Sequence, residues 1–403
     1  MTNMNTLLND ARILQEEIVA NRRAIHKFAE VGFDLPHTYA YVFDKLIEYG
    51  YNPQKVGKMG ITCLAGKPGA TILLRADMDA LPMMEESGES FAATNGNCHS
   101  CGHDCHTAML LGAAKLLKER ENELCGTVKF MFQPAEEIMG GALDMLENGI
   151  LENPKVDMAL GLHIITGNEI SKSGRICCIH HCVATSGDAI KITVQGKDAH
   201  GSLPEKGVDA IHIAAHIILA LEELTARELP MKQDSIVLVG RIVGGTTCNS
   251  VAGETTLEVS VRTNGPEERN FLLKRVEEIA TGVAATFRGK AKVEHLYGAP
   301  PLVNPEPELL EIQSYLREML PQEFVVDCPK MGGSEDFTMV SERVTSVFLQ
   351  LGVGSIDEGY PCGPHQPAMR VDESALPVGV AAYTQCALRW LEEHQNEEPR
   401  FDR

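Results

Sequence analysis

The chain has 403 residues, more than one simple core accommodates, and its 44% hydrophobic and 23% charged content excludes disordered, collagen-like and coiled-coil classes. Lys and Arg number 36 against 56 Asp and Glu, a formal −20 whose field repels phosphate backbones and anionic lipid, so neither nucleic acid nor membrane is an expected partner. Met1–Glu17 carries acids and no uninterrupted apolar stretch, unlike a signal peptide or anchor, and twelve cysteines diluted over this length are expected as reduced thiols of a cytoplasmic protein.

In chain order, periodicity predicts an amphipathic helix over Leu7–Ala29, a second over Thr38–Tyr49 behind Pro36, and a buried strand over Ala70–Leu74 running into Asp77 and Asp79. Helix Thr107–Arg120, strand Thr127–Phe132, helix Gly140–Asn148 and strand Asp157–Leu162 follow. This alternation predicts an α/β fold, a mostly parallel sheet covered by helices. From Gly187 the rhythm changes to strand Ala189–Gln195, helix Gly207–Thr225, strands Ser235–Val243 and Thr255–Thr263, helix Pro266–Phe287 and strand Lys292–Tyr297. That βαββαβ order is a small α+β layer. Helix Glu306–Leu320, strand Val347–Leu351 and helix Leu376–His394 resume the first style. The expected division is therefore residues 1–186 and 298–403 as one split domain, with 187–297 inserted.

Four segments place acids, imidazoles or a thiol just past predicted strands: Asp77 and Asp79; the run from Cys98 to His106; Glu136 and Glu137; and His163. In open α/β sheets the crevice beyond the carboxyl ends of the strands binds ligands, so these segments can converge. His365, in a loop after the last strand, is a fifth candidate. The Cys/His run permits three readings. Cys98 and Cys101 with His103 and His106 suit a structural zinc knuckle, but only isolated Cys125 follows where a second ligand pair is needed. Cys101 could instead be a nucleophile activated by a neighbouring histidine. As ligands of a catalytic metal centre, Cys101 and His103 explain more of the chain. Glu136–Glu137 then supplies one ligand and one general base, although an acid pair at a helix start is the ordinary reading of those two residues alone.

Taken together, Arg75–Pro82, Cys101-Gly-His103-Asp104-x-His106, Phe132-Gln-Pro-Ala-Glu136-Glu137, Gly161-Leu-His163, Gly196–Gly201, Gly244–Asn249 and Gly332–Phe337 resemble the bimetallic amidohydrolase family of hippurate hydrolases, auxin-conjugate hydrolases and N-acetyldiaminopimelate deacetylases. The resemblance runs from Arg22-Arg23-x-x-His26 to Pro364-His365. It implies a catalytic domain interrupted by a satellite domain used for dimerisation and as a lid. Two divalent ions per subunit (Zn, Mn, Co or Ni) are implied on Cys101, His103, Glu137, His163 and His365, with Cys101 bridging and Glu136 as general base. Asp77 and Asp79 fall beside the ligands, where a carboxylate orients a ligating imidazole. His200 matches a histidine that reaches the substrate carbonyl. The implied substrate is an N-acyl amino acid, and the implied assembly is a homodimer. Asn249 and Arg262 are candidates for the substrate carboxylate, with turn capping and surface charge as the competing roles. Cys98 and Cys105 depart from the family pattern and are read as packing. Cys177, Cys178 and Cys182 have no functional account, and His180 and His181 are expected at the surface without a carboxylate partner.

Overall fold

The computed structural model describes residues 5–231, 234–330 and 333–395. Residues 1–4 and Gly332 of the Gly332–Phe337 motif lie outside the described residues. The chain divides into two compact units, Met1–His181 with Asn304–Lys330 and Met339–Arg403, and Cys182–Val303 with Met331–Thr338.

The first unit opens with α1 (Asn5–Ile13) and α2 (Gln15–Phe28). The single helix expected over Leu7–Ala29 is broken at Leu14, whose ψ of 3° leaves the helical range, and Ile13 before it is 79% exposed. After α3 (Pro36–Glu48) comes a hairpin that periodicity missed, β1 (Gln54–Val56) and β2 (Gly60–Gly66). Then follow β3 (Thr71–Asp77), α4 (His103–Glu119), β4 (Thr127–Gln133), α5 (Gly141–Glu147), β5 (Met158–Ile165) and β6 (Ile176–Cys178). Two corrections bear on the site. Helix α4 starts at His103, four residues before the expected Thr107, because Gly102 at φ +88° turns the chain into it and Asp104 supplies an acid in the first turn. Strand β5 runs on to Ile165, so His163 lies inside the strand, where its register partner is Gln350.

The second unit contains β7 (His181–Ala184) from Cys182 onward, β8 (Gly187–Gln195), β9 (Ala199–His200), α6 (Ala210–Glu223), β10 (Ile236–Gly244), β11 (Ser250–Val251), β12 (Glu254–Arg262), α7 (Pro266–Thr286), β13 (Lys290–Ala299) and most of β14 (Leu302–Asn304). Its antiparallel sheet runs β10-β12-β8-β13. Alternation on β8 and β12 turns Ile190, Ile192, Val194, Leu257, Val259 and Val261 onto helices α6 and α7, and this face is the core of the unit. Short β9 and β11 form a separate ribbon.

Helix α8 (Glu306–Met319), β15 (Val325–Asp327), β16 (Ser346–Gly352) and α10 (Leu376–Glu393) complete the first unit, and α9 (Thr338–Ser341) lies between β15 and β16 in sequence. The large sheet has the order β1-β2-β4-β3-β5-β16-β6-β15, with its central strands β4, β3, β5 and β16 parallel. Each of these four strands is buried along its whole length, as a sheet covered on both faces requires. One expectation about thiols is overturned. Cys177 and Cys328 form a disulfide beside the parallel pairing of β6 and β15, whereas the other ten cysteines are not disulfide-bonded. His180 does find carboxylates, with Glu306 at 2.9 Å and Asp327 at 3.0 Å. The pairing of β6 with β15 brings Asp327 within reach, and the first turn of α8 supplies Glu306.

Candidate metal centre

Three neighbouring parallel strands of the first unit carry the site at their carboxyl ends. Asp77 closes β3, β4 turns through Ala135 (φ +56°) into Glu136 and Glu137, and β5 holds His163. The register pairs Asp77 with Gln133 and Arg75 with Gly161, so His163, two residues before the end of β5, lies level with the ends of β3 and β4. Two loops add the remaining groups. The turn before α4 presents Cys101 and His103, and the loop after β16 presents His365 (φ +63°), whose N–H donates to the Ser100 carbonyl at 2.7 Å.

Several overlapping groups of side chains converge among the described residues, and two of them share Cys101. Cys101, His103 and His163 bring one ligand atom each within 4.8 Å of one another, and so do Cys101, Glu137 and His365. The Cys101 Sγ to His163 Nε2 distance is 3.4 Å, and His365 Nε2 lies 3.5 Å from Glu137 Oε2. Glu136 Oε2 stands 4.0 Å from His103 Nε2. Among the described residues, both ring nitrogens of fully buried His103 and Oε1 of Glu137 face charged groups at 3.4–3.8 Å but have no well-formed hydrogen bond. Buried polar atoms left unsatisfied are costly, and an imidazole, a carboxylate oxygen and a thiol crowded together are the donor set of a divalent transition metal. The residues fit such ions.

The surrounding hydrogen bonds decide which nitrogen is available on each ring. His163 donates Nδ1–H to the Ile164 carbonyl at 2.6 Å, which leaves the Nε2 lone pair aimed at Cys101. Burial holds the His163 pKa well below its usual value, so the ring stays neutral as a ligand must. His106 donates Nδ1–H to Asp77 at 2.6 Å and accepts the Ile164 N–H on Nε2 at 2.8 Å. Its nitrogens are both engaged, so His106 braces β5 and cannot serve as a ligand. Asp79 accepts the Glu136 and Glu137 N–H groups at 3.0 and 3.2 Å and lies 3.4 Å from His103 Nδ1. Asp77 meets Arg75 Nη1 at 2.8 Å, and although burial opposes its charge, Arg75, His103 and His106 hold it well below the carboxylate range. The sequence placed Arg75 in a motif but gave it no role; its signal was a charge directly after the apolar run Ile72-Leu73-Leu74 of fully buried β3.

Cys98 joins neither set among the described residues and instead exchanges backbone hydrogen bonds with Leu81, so the knuckle does not form. Burial pushes the Cys101 thiol up, which disfavours a free thiolate nucleophile there. His200, Asn249 and Arg262 belong to the second unit. The β9–β11 ribbon pairs His200 with Ser250, and Gly201 N–H donates to the Asn249 carbonyl at 2.7 Å, which brings the first two together. His200 Nδ1 accepts from Ser202 Oγ at 2.7 Å, and exposed Arg262 at the end of β12 reaches Ser334 Oγ at 3.3 Å.

Comparison with known proteins gives concordant matches. Residues 73–389 match the family described as Peptidase family M20/M25/M40. N-acetyl-L-cysteine deacetylase of Bacillus subtilis is 34% identical over 90% of this chain and 85% of its own. IAA-amino acid hydrolase ILR1-like 4 of Arabidopsis thaliana is 33% identical over 93% of this chain and 86% of its own. Among solved structures, the Bacillus subtilis YXEP protein, a dinuclear metal binding peptidase from the M20 family, superposes with a TM-score of 0.80 at 29% identity, covering 94% of this chain and 99% of that one.

Proposed function

The chain belongs to peptidase family M20/M25/M40, and from that premise we propose that it is a metal-dependent amidohydrolase that cleaves the amide bond of N-acyl amino acids. The observation that carries this reading is the pair of ligand sets that share Cys101. In it, Cys101, His103, His163, Glu137 and His365 would hold two divalent ions, with Cys101 common to both groups of ligands. Thiolate with imidazole suits zinc, cobalt or nickel, and the family resemblance adds manganese. Bound there, the ions lower the pKa of water and polarise the amide carbonyl.

The protein's own groups do the rest. Glu136 is 7% exposed, and its backbone is anchored by Asp79. It accepts the proton of the attacking water and delivers it to the departing nitrogen. Asp79 and Asp77 hold the surrounding imidazoles in place. On the second unit, His200 accepts on Nδ1, which leaves Nε2–H to donate to the developing oxyanion. Arg262 and Asn249 take the substrate carboxylate. The relatives named a deacetylase and an amino acid hydrolase support this substrate class. The chain acts as a homodimer formed through the second unit, in the cytoplasm. Ten of the twelve cysteines lie outside the Cys177–Cys328 disulfide, a thiol content that fits a mainly reducing compartment.

Chelation is expected to abolish hydrolysis of acetyl-, benzoyl- and longer-acyl amino acids, and added divalent metal to restore it. Glu136→Ala is expected to keep its metal content and lose about 10²- to 10⁴-fold in kcat. Near-normal turnover by that variant, or alkylation-sensitive activity that survives demetallation, would contradict the reading.

A further inference from the structure

A buried ionic cluster in the first unit takes no part in the chemistry above. Arg22 and His26, one turn apart on α2, both address Asp104 in the first turn of α4. Arg22 Nε donates to Asp104 Oδ2 at 2.9 Å, and His26 Nδ1 donates to the same oxygen at 2.7 Å. Each donor is backed by a further carboxylate. Arg22 Nη1 reaches Glu373 Oε1 at 2.8 Å, and His26 Nε2 reaches Glu85 Oε1 at 3.0 Å. Carboxylates on both ring nitrogens require both to donate, so His26 is an imidazolium tie. The side chains of Arg22 and His26 are 5% exposed, and those of Asp104 and Glu85 are 1% exposed.

Taking this many charges out of water is expensive, and apolar side chains of equal volume often serve folding as well or better. The position of the cluster offers a better account. Asp104 directly follows His103 and lies three residues beyond Cys101. Glu86, next to Glu85, donates its N–H to the Pro367 carbonyl at 2.8 Å, and the His365 N–H is already bonded to Ser100. One network thus grips the segments that present Cys101, His103 and His365.

We infer that Arg22 and His26 are positioning residues of the metal centre: through Asp104 they fix the turn presenting Cys101 and His103, and thereby set how tightly metal is held. The inference rests on the ligand set proposed above. It is tested on the full-length, chelator-treated protein by titration with cobalt(II), reading the thiolate-to-cobalt absorption band together with the dissociation constant. The parent is expected to bind with that band, and its absence there would sink the ligand set rather than the network. Arg22→Lys keeps the charge but loses the fork, and Asp104→Asn keeps the shape. Both are expected to bind cobalt about 10- to 100-fold more weakly, with an altered band, while remaining folded by circular dichroism. Leu46→Ala, on α3 and fully buried, is the comparison for general destabilisation. It should lower the melting temperature and leave the cobalt constant within about twofold of the parent. The same outcome for Arg22→Lys would overturn the inference. So would failure of both charged-site variants to fold where Leu46→Ala folds, since the cluster would then serve folding alone.

Discussion

Asp79 illustrates how much one carboxylate can organise. Its two oxygens take the backbone N–H groups of both adjacent glutamates, and one of them also faces the His103 ring. The assignment of one glutamate as ligand and its neighbour as base therefore depends on a residue that touches neither glutamate side chain in those bonds. His26 shows the same logic with a titratable consequence. Burial alone would lower its pKa, but Asp104 and Glu85 on its ring nitrogens raise it from 6.5 to about 9, against opposition from Arg22. Neighbouring His99, 5.8 Å away between ring centroids, is kept neutral by burial, with a pKa of about 3. Because the folded value lies above the unfolded one, the stability His26 contributes is fully present below pH 6.5 and is lost as pH rises through about 9. The loss is on the order of 3 kcal/mol, and urea unfolding of the parent and His26→Gln across that range should show it as a pH slope absent from the variant.

At the level of elements, the turn into α4 and the edge of the small sheet each lead to an expected outcome. Gly102 sits at φ +88°, and a Cβ there would lie 2.4 Å from Cγ1 of Ile164, the residue that follows His163. Gly102→Ala is expected to cost at least about 1–2 kcal/mol from the left-handed backbone alone, and to weaken metal binding because the intruding methyl displaces β5. Thermal unfolding with and without added metal measures both. Among the described residues, strand β10 pairs on one side only, with β12, and leaves Ile236, Leu238, Ile242 and Val243 about half exposed. A long apolar edge of this kind is a template for pairing with another chain, which supports the proposed dimer. Leu238→Lys should convert the dimer to monomer in light scattering while leaving circular dichroism unchanged.

For the whole molecule, the cysteines report on the fold directly. Cys177 and Cys328 are 151 residues apart in sequence, and the segment they enclose includes all of 182–303. Alkylation of the unfolded, unreduced protein is expected to label ten of the twelve cysteines, and prior reduction to expose all twelve. Mass spectrometry reads this as a fixed mass difference. Labelling of all twelve without reduction would remove the cross-link.

The amino-acid pattern by itself determined the alternation of helix and strand and the change of rhythm that marks the small sheet, and it marked the segments rich in acids, imidazoles and thiols; the five ligand candidates were what the family resemblance implied. Those signals are local, being periodicities and residue types within a few positions. What it could not determine was placement across the fold. Whether Glu136 or Glu137 faces His365, whether His106 is a ligand or a brace, and whether Cys98 joins Cys101 all depend on strand register and on loops from distant parts of the chain. The turn at Gly102 is positioned against β5, and Arg22 reaches Asp104 over 82 residues. The missed break at Leu14 and the missed hairpin at β1 and β2 have the same origin. Short elements are stabilised by what they pack against, and only the tertiary structure supplies those neighbours.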